Sequence, residues 1–117
     1  MWHPPEVLRE IEEAGDVTIV VELIDFFQND TSRRFERLHA AVARLDAATV
    51  KAEAHAMQGS AKQMGAEALA DRCREVEASA AQRNWLALES QVEQADLRFT
   101  EVRNAMAEYV KARWRVS

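Results

Sequence analysis

Apolar residues recur at intervals of three and four along almost the whole chain, which is the pattern of helices with one buried face. The pattern predicts five helices, at about 6–14, 17–45, 46–65, 66–82 and 85–114. No stretch alternates apolar and polar residues with the period of two that is typical of strands. The sequence therefore predicts the all-α fold class.

Short connections separate these helices, and they contain residues that suit helix ends. Gly15 and Gly65 favour the left-handed conformation in which helices commonly end. Asp16 and Asn84 are good N-caps, and Asp46 starts the third helix. Helices joined by such short connections pack in alternating directions. We expect helices two to five to form an up-down-up-down antiparallel four-helix bundle. The first helix would be a short N-terminal addition to a single domain over residues 1–117.

Each long helix has an apolar stripe that the shared core is expected to bury. In the second helix the stripe consists of Val20, Leu23, Ile24, Phe27, Phe35, Leu38, Val42 and Leu45. Four further apolar residues of this helix lie off the stripe, namely Val17, Ile19, Val21 and Phe26. The first helix is expected to cover them, and a partner protein is the second candidate. Small residues dominate helices three and four, so these two helices should approach closely.

Composition and charge exclude several functional classes. Apolar residues make up 48% of the chain and charged residues 30%, as in a globular protein. The net charge of −5 and the absence of a block of lysine and arginine argue against nucleic-acid binding. No apolar run approaches the roughly 20 residues that span a bilayer, and no signal peptide is visible. We therefore expect a cytoplasmic protein, or a domain of a larger one. Cys73, the single cysteine, is expected in the core.

The most distinctive stretch surrounds His55 on the third helix. The apolar stripe of that helix is Ala47, Val50, Ala54, Met57, Ala61 and Met64. At about 100° per residue, His55 points away from this stripe. Its side of the helix also has Lys51, Gln58, Gly59 and Lys62. An exposed imidazole with cationic and amide neighbours is an accessible nucleophile beside groups that bind anions. Neither His39 nor His3 has a second ligand at metal spacing, so no metal site is predicted.

This stretch resembles the histidine-phosphotransfer (HPt) domains of two-component phosphorelays. The family pattern is a histidine, a hydrophobic residue two positions later, usually a lysine at the third position, a glycine at the fourth and another near the tenth. The matching residues are His55, Met57, Gln58, Gly59 and Gly65. The likeness continues in the next helix and beyond, through Ala66, Leu69, Cys73, Val76 and Glu77, and it includes Phe26, Phe27, Asn84 and Trp85.

The departure from the family pattern is at Gln58, which replaces the usual lysine. Glutamine can donate a hydrogen bond to a phosphoryl oxygen but has no charge. Lys51 lies one turn before His55 and Lys62 about two turns after it, so either could supply that charge. Gly59 would leave space for a phosphoryl group and for the loops of a partner.

The resemblance implies that His55 accepts a phosphoryl group from the aspartate of a receiver domain and passes it to another receiver. The partners would be receiver domains of response regulators or hybrid histidine kinases. They would bring the Mg²⁺, so the chain needs no cofactor of its own. No nucleotide-binding motif is present, so we expect no autonomous kinase activity. The docking surface would add Val7, Ile11 and Val17, and the domain is expected to be a monomer.

Two alternatives to a phosphorelay carrier stay open at this point. One is a helical adaptor that binds a receiver or kinase partner without being phosphorylated. The other is an unrelated structural bundle, which the segment around Cys73 disfavours.

Overall fold

The computed structural model describes residues 2–114 and consists of five helices joined by three-residue connections. The helices are α1 (Glu6–Glu13), α2 (Val17–Ala43), α3 (Ala47–Gln63), α4 (Glu67–Ala81) and α5 (Trp85–Arg113). Residues 2–114 contain no strand, so the predicted all-α class is confirmed. Within the same residues, no helix combines the length and apolar character that a membrane crossing requires.

The helices α1 to α4 end in the same way, with one residue in the left-handed conformation. At the end of α1 this residue is Gly15 (φ 86°), and the next N–H, that of Asp16, donates to the carbonyl of Ile11 at 3.2 Å. The ends of α2 and α4 place Leu45 (φ 57°) and Arg83 (φ 54°) in that conformation. The prediction that Leu45 is the last core residue of the second helix is therefore wrong. Leu45 is 65% exposed because the helix ends two residues earlier.

Replacing Arg83 with glycine is expected to stabilise the fold. A non-glycine residue in the left-handed region costs about 1–2 kcal/mol, and substitution by glycine removes that cost. Part of the resulting gain in stability is offset by the extra conformational freedom of glycine in the unfolded chain. We expect Arg83→Gly to raise the free energy of unfolding by about 0.5–1 kcal/mol in urea titrations. The matched control is Gln82→Gly at the preceding position, which has a right-handed conformation. This substitution should lower the free energy of unfolding. Equal losses in both variants would show that Arg83 stores no strain.

The core lies between helices whose small residues allow close approach. The most extensive contact joins α3 and α4, as predicted, and the alanines buried there include Ala54, Ala61, Ala66 and Ala70. Cys73 is buried, and burial raises the pKa of its thiol to about 12. It therefore acts as a small core residue rather than as a nucleophile.

The short helix α1 is attached by polar contacts as well as by its buried Leu8. The hydroxyl of Tyr109 donates to Glu12 at 2.7 Å, and Arg113 pairs with the same carboxylate at 2.8 Å. Upstream of the helix, the indole N–H of Trp2 donates to the carbonyl of Met64 at 2.7 Å. These contacts fix the N-terminal segment against α5 and the end of α3.

The N-terminal part of α2 has an apolar face that α1 leaves open. Ile19, Leu23 and Phe26 are exposed, Phe26 to 67%. The prediction of Leu23 as a core residue, and of α1 as the cover for Ile19 and Phe26, is therefore wrong. The reason is length, because α2 has 27 residues and α3 only 17. The first ten residues of α2 thus extend past the end of α3, and one side of them has no helix to pack against.

Candidate functional site

The side chain of His55 projects from α3 into solvent and is held at one ring nitrogen. It is 74% exposed, and its Nδ1 lies 2.9 Å from Oε2 of Glu77 on α4. A carboxylate only accepts hydrogen bonds, so in the neutral ring Nδ1 bears the proton and donates it to Glu77. This partner assigns the tautomer. The other nitrogen, Nε2, then has a free lone pair on an exposed ring, which is the arrangement of a nucleophile.

Glu77 is in turn held by Gln58. The amide of Gln58 lies between a carboxylate oxygen of Glu77 and the guanidinium of Arg74, and these neighbours assign its orientation. Its nitrogen donates to Oε1 of Glu77 at 3.2 Å, and its oxygen accepts from Nε of Arg74 at 3.2 Å. Arg74 also donates to Asp71 at 3.1 Å. Side chains of α3 and α4 thus form one hydrogen-bonded chain that begins at His55 and ends at Asp71.

The other residues that the sequence places beside His55 surround this chain without joining it. Lys51 and Lys62 are exposed on α3, and within residues 2–114 neither of them forms an ion pair with Glu77, the carboxylate that holds His55. Gly59 is exposed too, and a Cβ added there would meet nothing within 4 Å. Since mid-helix glycine costs roughly 1 kcal/mol relative to alanine, the fold has no packing reason for this residue. Open space one turn from His55 fits a site that receives a bulky group.

The residues expected to dock a partner differ in how accessible they are. Val7 is exposed, whereas Ile11 packs against the core and Val17 is half-buried. The structure adds an apolar stripe that the docking prediction omitted, formed by Ile19, Leu23 and Phe26 at helical spacing on α2. Ile19 and Phe26 lie off the core stripe of the second helix in the sequence, and this was the signal that could have identified the exposed stripe.

The apolar stripe lies on the side of α2 that, nearer the C-terminus of this helix, faces α3. Arg34 and Arg37 continue the same face toward the C-terminus, and both pair with Glu53 of α3, at 3.3 and 3.1 Å. The stripe therefore begins where α3 ends, near Gln63. Gln63 is eight residues from His55, or about 12 Å along the helix. Around the axis of α3, Glu53 and His55 are about 200° apart, so the side chain of His55 points away from α2 and toward α4.

Glu77 and Arg74 are the site residues that sequence analysis missed. Glu77 was recognised as part of a motif but received no role, and Arg74 was not singled out. Their distance in sequence explains this, because Glu77 is 22 residues from His55 and only helix packing brings the two together. The usable signal was the spacing of three between Arg74 and Glu77, which places both on the same side of α4.

Comparison with known proteins agrees with this geometry. The sequence model of the Hpt domain matches residues 22–111. The crystal structure of histidine-containing phosphotransfer protein B (HptB) from Pseudomonas aeruginosa PAO1 superposes with a TM-score of 0.84, at 31% sequence identity and over 97% of each chain. A search of curated protein sequences gave no match.

Proposed function

The chain belongs to the Hpt domain family and so has a phosphotransfer role in a two-component phosphorelay, and we propose that His55 is the residue that accepts and donates the phosphoryl group. The observation that supports this most directly is the contact between Nδ1 of His55 and Glu77, on a ring that is otherwise exposed. The contact leaves Nε2 as the free nitrogen. The donor and the acceptor are receiver domains with a phosphorylatable aspartate.

In the proposed transfer, the lone pair of Nε2 attacks the phosphorus of an aspartyl phosphate. The N–P bond forms while the P–O bond to the aspartate breaks, and the electron pair of that bond stays on the carboxylate of the receiver. The imidazole keeps its proton on Nδ1 and becomes positively charged, and Glu77 offsets that charge at 2.9 Å. Transfer to a second receiver is the reverse of these steps. Lys51 and Lys62 are proposed to attract the phosphoryl oxygens, and the Mg²⁺ would come with the receiver.

Receiver docking is proposed to use the apolar stripe of α2 together with Val7. A transient complex buries less than about 600 Å² per partner, an area roughly 25 Å across. We propose that the contact area includes both His55 and the start of the stripe, which are about 12 Å apart along the axis of α3. Ile11 and Val17 remain predicted contacts at the edge of this surface.

We also infer that α2 to α5 form the antiparallel four-helix bundle expected from the sequence. Pairs of contacts between neighbouring helices support it. His55 and Gln58 of α3 face Glu77 and Arg74 of α4 in reversed order. His39 and Gln28 of α2 contact Asp96 and Met106 of α5, again in reversed order.

Direct phosphorylation tests the proposed function. The protein is incubated with a receiver domain that bears a labelled aspartyl phosphate, and the transferred label is tested for stability and mapped by mass spectrometry. We expect label on His55 that is labile in acid and stable in base, as a phosphoramidate is. Binding of receivers without any transfer would favour the adaptor instead.

Replacing Glu77 with glutamine is expected to slow the transfer about tenfold, because a charge-assisted hydrogen bond is roughly twice as strong as a neutral one. The variant keeps the shape of the side chain but removes the charge that stabilises the ring. Single-turnover transfer from a phosphorylated receiver measures the effect. Glu75→Gln is the matched control, since Glu75 lies on the same helix and pairs with Arg72. Equal rates in both variants would contradict the role of Glu77.

A further inference from the structure

We propose that Arg74 and Gln58 are positioning residues, which hold Glu77 in the orientation that keeps the proton of His55 on Nδ1. The effect of this positioning on phosphotransfer rests on the proposed function. Its effect on the ring can be measured independently of any receiver. This role differs from the expectation that Gln58 itself donates to the phosphoryl group.

Both ends of the Gln58 amide are engaged by side chains of α4. Its nitrogen donates to Glu77 and its oxygen accepts from Arg74, each at 3.2 Å. Glu77 lies on the Nδ1 side of the ring, and the phosphoryl group would attach at Nε2, on the other side. Gln58 is therefore placed to restrain the carboxylate rather than to bind the phosphoryl group.

The carboxylate of Glu77 needs restraint to stay against the imidazole. A glutamate side chain samples several rotamers, and Glu77 is 22% exposed, so solvent can compete for its carboxylate. In this site each of its oxygens has its own partner, Oε2 with His55 and Oε1 with Gln58. With both oxygens engaged, the carboxylate cannot turn away from the ring without losing a second bond.

The amide of Gln58 is held in one orientation from both ends. The opposite orientation would point its oxygen at the carboxylate of Glu77 and its nitrogen at the guanidinium of Arg74. The carboxylate only accepts hydrogen bonds and the guanidinium only donates them, so both partners oppose that orientation. Arg74 is itself held one turn away by Asp71, at 3.1 Å. Arg74 thus reinforces the orientation in which Gln58 donates to Glu77.

The experiment measures the tautomer of His55 by the nitrogen chemical shifts of its ring, in alkaline buffer where the ring is neutral. A protonated and an unprotonated ring nitrogen differ strongly in chemical shift. Exchange between the two tautomers averages these shifts, so the values for Nδ1 and Nε2 come closer to each other. In the native protein we expect Nδ1 to be the protonated nitrogen. Arg74→Ala and Gln58→Leu should each bring the shifts closer and slow phosphotransfer about three- to fivefold, the size of a lost hydrogen bond.

The double variant separates positioning from an independent effect of the Arg74 charge. If Arg74 acts through Gln58, the two substitutions together should have no more effect than either alone. Arg74→Lys keeps an N–H donor and should behave as the native protein does. Arg72→Ala is the matched control on the same helix, where the arginine pairs with Glu75, and it should leave the shifts unchanged.

Two results would overturn the proposal: unchanged ring shifts in Arg74→Ala, or additive effects in the double variant. Failure of the proposed function looks different. In that case the native protein would take no label from any receiver, while the ring shifts still responded to Arg74→Ala. Because Arg74 is half-exposed, its replacement should leave the fold intact, and Gln58→Leu tests the same link from the other side.

Discussion

A His55→Gln protein is expected to accept no phosphoryl group from a phosphorylated receiver domain. Glutamine has no ring nitrogen with a free lone pair, so the N–P bond cannot form. The expected loss is at least on the order of 10³-fold, down to the detection limit. The measurement is single-turnover transfer of a labelled phosphoryl group. The side chain is 74% exposed, so the free energy of unfolding should change by less than about 0.5 kcal/mol.

The control for this variant is His39→Gln. His39 is also an exposed helical histidine that contacts a carboxylate, at 2.8 Å from Asp96, but it lies on α2 and faces α5. The His39→Gln protein should accept the labelled phosphoryl group at the native rate. Label that persists in His55→Gln would assign the acceptor to another residue, and equal loss in both variants would indicate a general effect on the fold.

A Phe26→Asp protein is expected to lose most of its affinity for receivers while keeping its chemistry. A buried aromatic residue at the centre of a contact is commonly worth 2 kcal/mol or more, and a carboxylate there would also have to be desolvated. We therefore expect receiver binding to weaken roughly 10- to 100-fold, as measured by titration calorimetry or by the receiver concentration that gives half-maximal transfer. Phe26 is 67% exposed, so the substitution should cost the fold little.

Two comparisons show whether the loss of receiver affinity in Phe26→Asp is caused by a damaged docking surface. Phosphoramidate, a small donor that needs no docking surface, should phosphorylate Phe26→Asp and the native protein at the same rate. Leu86→Asp is the matched control, because Leu86 is 93% exposed but lies at the start of α5, away from α3. If Leu86→Asp weakened receiver binding as much as Phe26→Asp, the docking surface would have to be placed elsewhere.

The sequence by itself determined the helices and the exposed face of His55. Both follow from local rules, since the spacing of apolar residues sets which side of a helix is buried, and His55 lies on the opposite side from Met57. The close approach of α3 and α4 was also predictable, because small residues such as Ala54 and Ala61 leave room for a neighbouring helix. Cys73 could be assigned to the core because it lies on the apolar face of its helix, with Leu69 and Val76.

Periodicity could not show where a stripe stops being covered. Leu23 continues the apolar pattern of α2, yet it is exposed because α3 is ten residues shorter. Leu45 also continues the pattern, but α2 has already ended and no glycine marks the end. Both errors concern the relative lengths and ends of packed elements, which are properties of the assembly and not of one helix.

Only the tertiary structure decided what surrounds the imidazole. His55 and Gln58 are three residues apart, but the carboxylate and the guanidinium that hold them belong to α4, at Glu77 and Arg74. Which residues of α4 meet α3 depends on the register between the two helices, and their packed alanines set that register. His55 could therefore be proposed as the acceptor from the chain alone, whereas its tautomer, and with it the nitrogen proposed to react, follows from how two helices pack.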